Sequence, residues 1–86
     1  MAELEISYFA WVREAMGQSG EILPLPPGVA DVSALIAWLA ARDERGAAAF
    51  ARPERIRVAV DGEMVSANRS IVAAREVALF PPVTGG

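Results

Sequence analysis

The sequence predicts an α+β domain: a mixed sheet of about five strands with one main helix packed on one face. Three observations predict it. Segments 3–9 and 55–60 alternate apolar and other residues with a period of two. Segment 32–42 carries an apolar stripe with the period of a helix. The element order (strand, short helix, strand, long helix, then three strands) sets a hairpin-like region on either side of that helix.

"ELEISYF" (3–9) places Leu4, Ile6 and Tyr8 on one face and Glu3, Glu5 and Ser7 on the other, a half-buried strand. The period changes in "AWVREAMG" (10–17), where Val12 and Met16 are four apart and Gly17 ends a short helix. "EILPL" (21–25) is a second short strand, and Pro24 inside it argues for an edge position or an early finish. "PPG" (26–28) is a turn. Asp31 is the expected cap of "VSALIAWLAAR" (32–42). Within that helix Val32, Leu35, Ile36 and Leu39 share a face. Their expected partners are Ile6, Val58, Val77 and Leu79. "ERGAAAFARPE" (44–54) is expected to hold one further helical turn before Pro53. In "RIRVAV" (55–60), Ile56, Val58 and Val60 face inward. "DG" (61–62) turns the chain into "EMV" (63–65), "SANRS" (66–70) is a loop, and "EVALF" (76–80) is the last strand.

Composition removes whole classes of chemistry. The 86 residues make one domain and contain neither cysteine nor histidine. A disulfide framework, a thiolate nucleophile and a Ser-His-Asp site therefore cannot be built from this chain. The net charge is −3 and all eight basic residues are arginine, interleaved with acids. No basic stripe stands out, so no nucleic-acid partner is expected. No apolar run is long enough for a membrane span, and "MAELEISYF" has no basic stretch ahead of it, so a cytoplasmic protein is expected. Glu3 with Glu5, and Asp61 with Glu63, read as a solvated strand face and as hairpin chemistry. No glycine pattern cradles phosphate, and no metal ligand set is expected. Trp38 flanks the helix stripe and is expected to be partly buried. Trp11 is expected to pack as core or as a staple.

The ending "FPPVTGG" carries the functional signal. With Val77 and Leu79 facing the helix, Phe80 lies on the other sheet face, where an aromatic marks an interface. Pro81 and Pro82 lack N–H donors, so they end the ladder and stiffen the exit. The segment from Pro81 to Gly86 reaches at most about 20 Å when extended. Gly85 and Gly86 have no side chains and fit a channel too narrow for any other residue. The terminal carboxylate of Gly86 is the one reactive group on offer. The domain is thus expected over 1–80 and an extended tail over 81–86.

In "YFAWVREAMG" (8–17), "VAVDGEMVS" (58–66) and above all "EVALFPPVTGG" (76–86), the chain resembles the small subunit of molybdopterin synthase, the sulfur carrier of molybdenum-cofactor biosynthesis. It departs at Ala73-Ala74-Arg75, where that family often has a glycine-and-acid turn. The resemblance implies a β-grasp, ubiquitin-like fold. It implies that a ubiquitin-activating-type adenylyltransferase uses ATP to adenylate the Gly86 carboxylate, which a sulfur donor converts to a thiocarboxylate. The tail, with Gly85, Thr84 and Val83, would then thread into the large synthase subunit and give its sulfur to a cyclic pterin phosphate. Phe80, Pro81 and Pro82 would contact that subunit in a heterotetramer of two large and two small chains. No cofactor is expected on this chain itself. Three other readings stand beside this one: a thiamine-type carrier, a ubiquitin-like modifier joined to lysines through Gly86, and a module whose tail only docks.

Overall fold

The computed structural model describes residues 3–82, so the readings on Val83, Thr84, Gly85 and Gly86 lie outside the described residues. The alternating N-terminal segment forms strand β1 (Glu3–Tyr8), with Leu4, Ile6 and Tyr8 buried. Helix α1 (Ala10–Met16) buries Val12 and Met16 and closes at Gly17 in the left-handed conformation. Strand β2 (Gly20–Pro24) pairs antiparallel with β1 and lies at the sheet edge, where Pro24 costs no ladder bond on the open side.

Helix α2 (Val32–Arg42) buries Val32, Leu35, Ile36 and Leu39. Its first-turn N–H groups, which no helical carbonyl can reach, all find acceptors. The Asp31 side chain takes the Ala34 N–H at 2.8 Å. The loop over 66–70 supplies the carbonyls of Arg69 and Ala67 to the N–H groups of Val32 and Ser33.

Residues 44–49 form a full helix, α3 (Glu44–Ala49), where the sequence suggested a single turn. Asp43 is the reason. It is extended, so it ends α2, and its carboxylate accepts from the Gly46 N–H at 2.8 Å, so it caps α3. Gly46 is buried where α3 meets α2, and a Cβ there would overlap the Leu39 carbonyl oxygen. A 3-10 turn (Pro53–Arg55) follows, which delays strand β3 (Arg57–Val60) by two residues from its expected start. Asp61 and Gly62 both take positive φ, 50° and 84°, the geometry that matches strand twist in a two-residue hairpin. The hairpin leads into β4 (Glu63–Val65), and β5 (Glu76–Phe80) ends the sheet.

The strand order is β2-β1-β5-β3-β4. The last strand lies in the middle, parallel to β1 and antiparallel to β3. Register aligns Ile6, Val77 and Val60 in one row, and Tyr8, Leu79 and Val58 in the next. Both rows join the α2 stripe in one buried cluster, as the sequence predicted. Asp61 fixes where β5 starts. Its Oδ1 accepts from the N–H groups of Arg75 (3.0 Å) and Glu76 (2.9 Å), and its own N–H donates to the Glu76 carbonyl. An acid from the β3–β4 hairpin thus serves the turn in which Ala73-Ala74-Arg75 supplies none.

Gly46→Ala is expected to lower stability by about 1–2 kcal/mol, because overpacking against backbone outweighs the ~1 kcal/mol gain in helix propensity. Urea unfolding of the two chains measures this, and an unchanged or raised midpoint would refute the close approach of α3 to α2.

Candidate functional site: the root of the C-terminal tail

Parallel pairing of β1 and β5 brings two chain ends to one edge of the sheet. The Phe9 N–H donates to the Leu79 carbonyl at 3.1 Å, and Phe80 is in register with Arg57 of β3. Phe80 therefore leaves the sheet between the β1–α1 junction and the start of β3. Its ring meets Phe9 edge-on, with centroids 6.5 Å apart and planes at 82°. Phe9 is 50% exposed, while Phe80, Pro81 and Pro82 are half-buried.

Alternation sets both rings on the sheet face away from the helices. Ser7, Ala78, Ala59 and Met64 form the neighbouring row of that face by register. Met64 is exposed. The small side chains make this surface shallow, with the aromatic pair rising at the point of exit. Phe80 thus stands where the sequence placed it. Phe9 was not singled out, though its signal was present: an aromatic at a position where the alternation runs polar.

The other face of the same sheet end is pinned by charge. Tyr8 is buried, and its hydroxyl donates to Glu21 Oε2 at 2.6 Å. Arg42 grips both Glu21 oxygens at 2.8 Å, and its guanidinium lies 5.3 Å from the ring centroid of Trp38. Gln18 adds a third donor to the same carboxylate. The Arg42 guanidinium is the main reason the Glu21 carboxyl is held below the usual carboxylate range. Burial, then the bond to Glu21, raises the Tyr8 phenol far above its ordinary value and keeps it a neutral donor. Three elements, β1, β2 and α2, are tied here just inside the residue from which Phe9 emerges. Nothing in the sequence pairs these three residues, because they are brought together only by the fold. Trp38 is partly buried, as expected. Trp11 is not packed in the core; it is 41% exposed, because Val12 and Met16 already occupy the inward side of α1.

The carboxylate pairs have ordinary duties. Glu3 and Glu5 are exposed on β1. Glu63 meets Arg69 at 3.1 Å. Asp61 is held below the usual carboxylate range, first by the Glu76 N–H and then by the Arg75 N–H. Among the described residues no cluster of acids forms a metal site, and no helix is long and apolar enough to cross a membrane. The described part of the chain builds an exit, and no acid–base centre stands beside it.

The ThiS family matches residues 6–86. The chain belongs to that family. It is 34% identical to the molybdopterin synthase sulfur carrier subunit of Escherichia coli over 83 residues, covering 96% of this chain and 99% of that one. Among solved structures it is similar to SAMP1, small archaeal modifier protein 1, of Haloferax volcanii, with TM-score 0.70 and 26% identity over 99% of this chain and all of that one. The Haloferax volcanii HVO 2177 protein gives TM-score 0.72 and 26% identity over 99% of this chain and 87% of that one. The fold of this ThiS-family chain is the β-grasp, ubiquitin-like fold.

Glu21→Gln is expected to cost about 1.5–3 kcal/mol at neutral pH, the range for hydrogen bonds to a charged group. The sign with pH follows from the depressed carboxyl. Its contribution is full above the ordinary carboxylate range and is lost as pH falls through the folded-state value. Urea unfolding between about pH 7 and pH 3 should therefore show a shallower acid loss in the variant, and equal slopes would remove Glu21 from the acid response.

Proposed function

We propose that this chain is the sulfur carrier subunit of a molybdopterin synthase. The observation that carries the reading is the run from β5 through Phe80 into Pro81-Pro82 and the closing Gly85-Gly86, in a chain similar along nearly its whole length to a molybdopterin synthase sulfur carrier subunit.

The chemistry centres on Gly86. A carboxylate is a poor acyl donor because oxide is a poor leaving group. An activating adenylyltransferase joins the Gly86 carboxylate to the AMP portion of ATP and releases pyrophosphate. A sulfur nucleophile then attacks the acyl carbon, AMP leaves, and a thiocarboxylate remains. In the large synthase subunit that sulfur passes to cyclic pyranopterin monophosphate, where it builds the dithiolene. Glycines at 85 and 86 let the Gly86 acyl carbon enter a narrow active-site channel, with Thr84 and Val83 threading in behind them. Pro81 and Pro82 hold the exit stiff, which lowers the entropy lost on insertion. The chain itself binds no cofactor, since ATP belongs to the activating enzyme. It has no lysine, so no side-chain amine captures the activated terminus within the molecule.

A second reading is favoured by the similarity to SAMP1. There the same activated Gly86 would be joined to lysines of other proteins. Intact mass after incubation with the cognate activating enzyme, ATP and a sulfur source separates the readings. Exchange of one terminal oxygen for sulfur is expected in the full chain and not in a chain lacking Gly86. No exchange, together with isopeptide adducts in cell extract, would favour the modifier.

Phe80→Ala is expected to weaken binding to the large subunit by about tenfold or more, the loss typical of an aromatic at the centre of an interface. The isolated variant should keep its fold by circular dichroism. Unchanged affinity in calorimetry would remove Phe80 from the interface.

A further inference from the structure

Beside the tail root, on the helical side, lies a cleft of about 370 Å³ lined by Trp11, Ala48, Ala49, Ala51, Arg52 and Arg55. Its walls are chemically specific. One is the exposed indole of Trp11 on α1. Ala48 and Ala49 of α3, and Ala51 two residues beyond it, are too short to fill the space between. The other wall is a pair of guanidinium groups. Arg52 and Arg55 flank the 3-10 turn, and the Arg55 N–H donates to the Arg52 carbonyl. Arg52 precedes the turn and Arg55 closes it, and both line the same cleft. Glu54 between them lines a different groove, with Ile36 and Pro53. Among the described residues, the Arg42, Arg45, Arg57 and Arg69 side chains have protein acceptors, whereas those of Arg13, Arg52, Arg55 and Arg75 have none, and of these four Arg52 and Arg55 share the cleft.

Charge is also uneven along the chain. Residues 44–57 hold four arginines against two glutamates, while the whole chain carries −3. A basic cleft is thus set in an acidic molecule, and its complement is acidic. Two of its lining residues lie close in the chain to residues at the exit. Trp11 follows Phe9 by two residues, and Arg55 precedes by two residues Arg57, the register partner of Phe80.

We propose that this cleft is a second docking contact for the enzyme that adenylates Gly86. A pair of carboxylates on that enzyme is clamped by Arg52 and Arg55, and an adjoining apolar side chain packs on Trp11. The activating enzyme is the partner it suits. Charged contacts at the margin of an interface speed encounter and are easily released. A carrier that must leave its activating enzyme after each turnover uses both properties, while a stable synthase assembly needs neither. The inference rests on the sulfur-carrier reading above.

The test is the initial rate of thiocarboxylate formation, read by intact mass, against carrier concentration, with purified cognate activating enzyme, ATP and sulfide. The double variant Arg52→Glu/Arg55→Glu is expected to raise the half-saturating concentration by about tenfold or more at low salt, with little change in the saturated rate. That difference should shrink as salt is added, because exposed charges are screened. Trp11→Ala should weaken binding with little salt dependence. Arg52→Lys/Arg55→Lys should restore part of the affinity. All variants should melt like the parent chain, and their affinity for the large synthase subunit should be unchanged. Equal half-saturation for parent and double variant would overturn the cleft while leaving the carrier reading intact. A loss confined to large-subunit binding would overturn the choice of partner. If the parent chain is never thiocarboxylated, the carrier reading fails and the cleft's assignment falls with it.

Discussion

The parallel pairing of β1 with β5 is the contact on which the rest of this structure depends. It draws the last strand into the middle of the sheet, where both neighbours hydrogen-bond to it and both of its buried residues, Val77 and Leu79, meet the α2 stripe. A central strand is the least able to fray, because leaving it breaks two ladders at once. The chain end is thereby anchored at Phe80 and becomes unpaired at Pro81, where a donor is missing. The described backbone is thus held in two ladders up to Phe80 and leaves them at Pro81.

Parallel strands also finish at the same edge, so the β1–α1 junction stands beside the exit. That edge is braced from both faces. On the open face, Phe9 and Phe80 pack edge-on. On the helical face, Tyr8, Glu21 and Arg42 form a network in which each charge is matched and the phenol stays neutral. A partly buried carboxylate is costly unless paired, and this one accepts from three side chains. The same economy appears at the start of β5, where Asp61 serves two backbone donors from the neighbouring hairpin. The start of the last strand is therefore set by a carboxylate that belongs to another element.

The distribution of chemistry follows from that layout. The described residues hold no acid–base centre, and the candidate pairs of acids are committed to turns and solvent. An aromatic pair stands at the exit on the open face, and a basic, indole-walled cleft lies on the helical side.

The sequence by itself determined the local elements and the chemical character of the tail. Alternation in 3–9 and 55–60, the stripe of α2, the Asp31 cap, the Asp61-Gly62 hairpin and the edge placement of Pro24 are short-range patterns, each enforced by backbone geometry within a few residues. So is the Phe80-Pro81-Pro82 exit. The extent of α3 was less legible, because Asp43 both ends one helix and caps the next, and Gly46 matters only through Leu39 on the other helix. What only the tertiary structure decided depends on residues far apart in the chain. The insertion of β5 between β1 and β3, the meeting of Phe9 with Phe80, the joining of Tyr8, Glu21 and Arg42, and the cleft between Trp11 and Arg52 all require the sheet order to be known. Periodicity tells which side of a strand is buried. It carries no information on which strand lies next to it, because hydrogen-bonded neighbours are chosen by packing across the whole sheet.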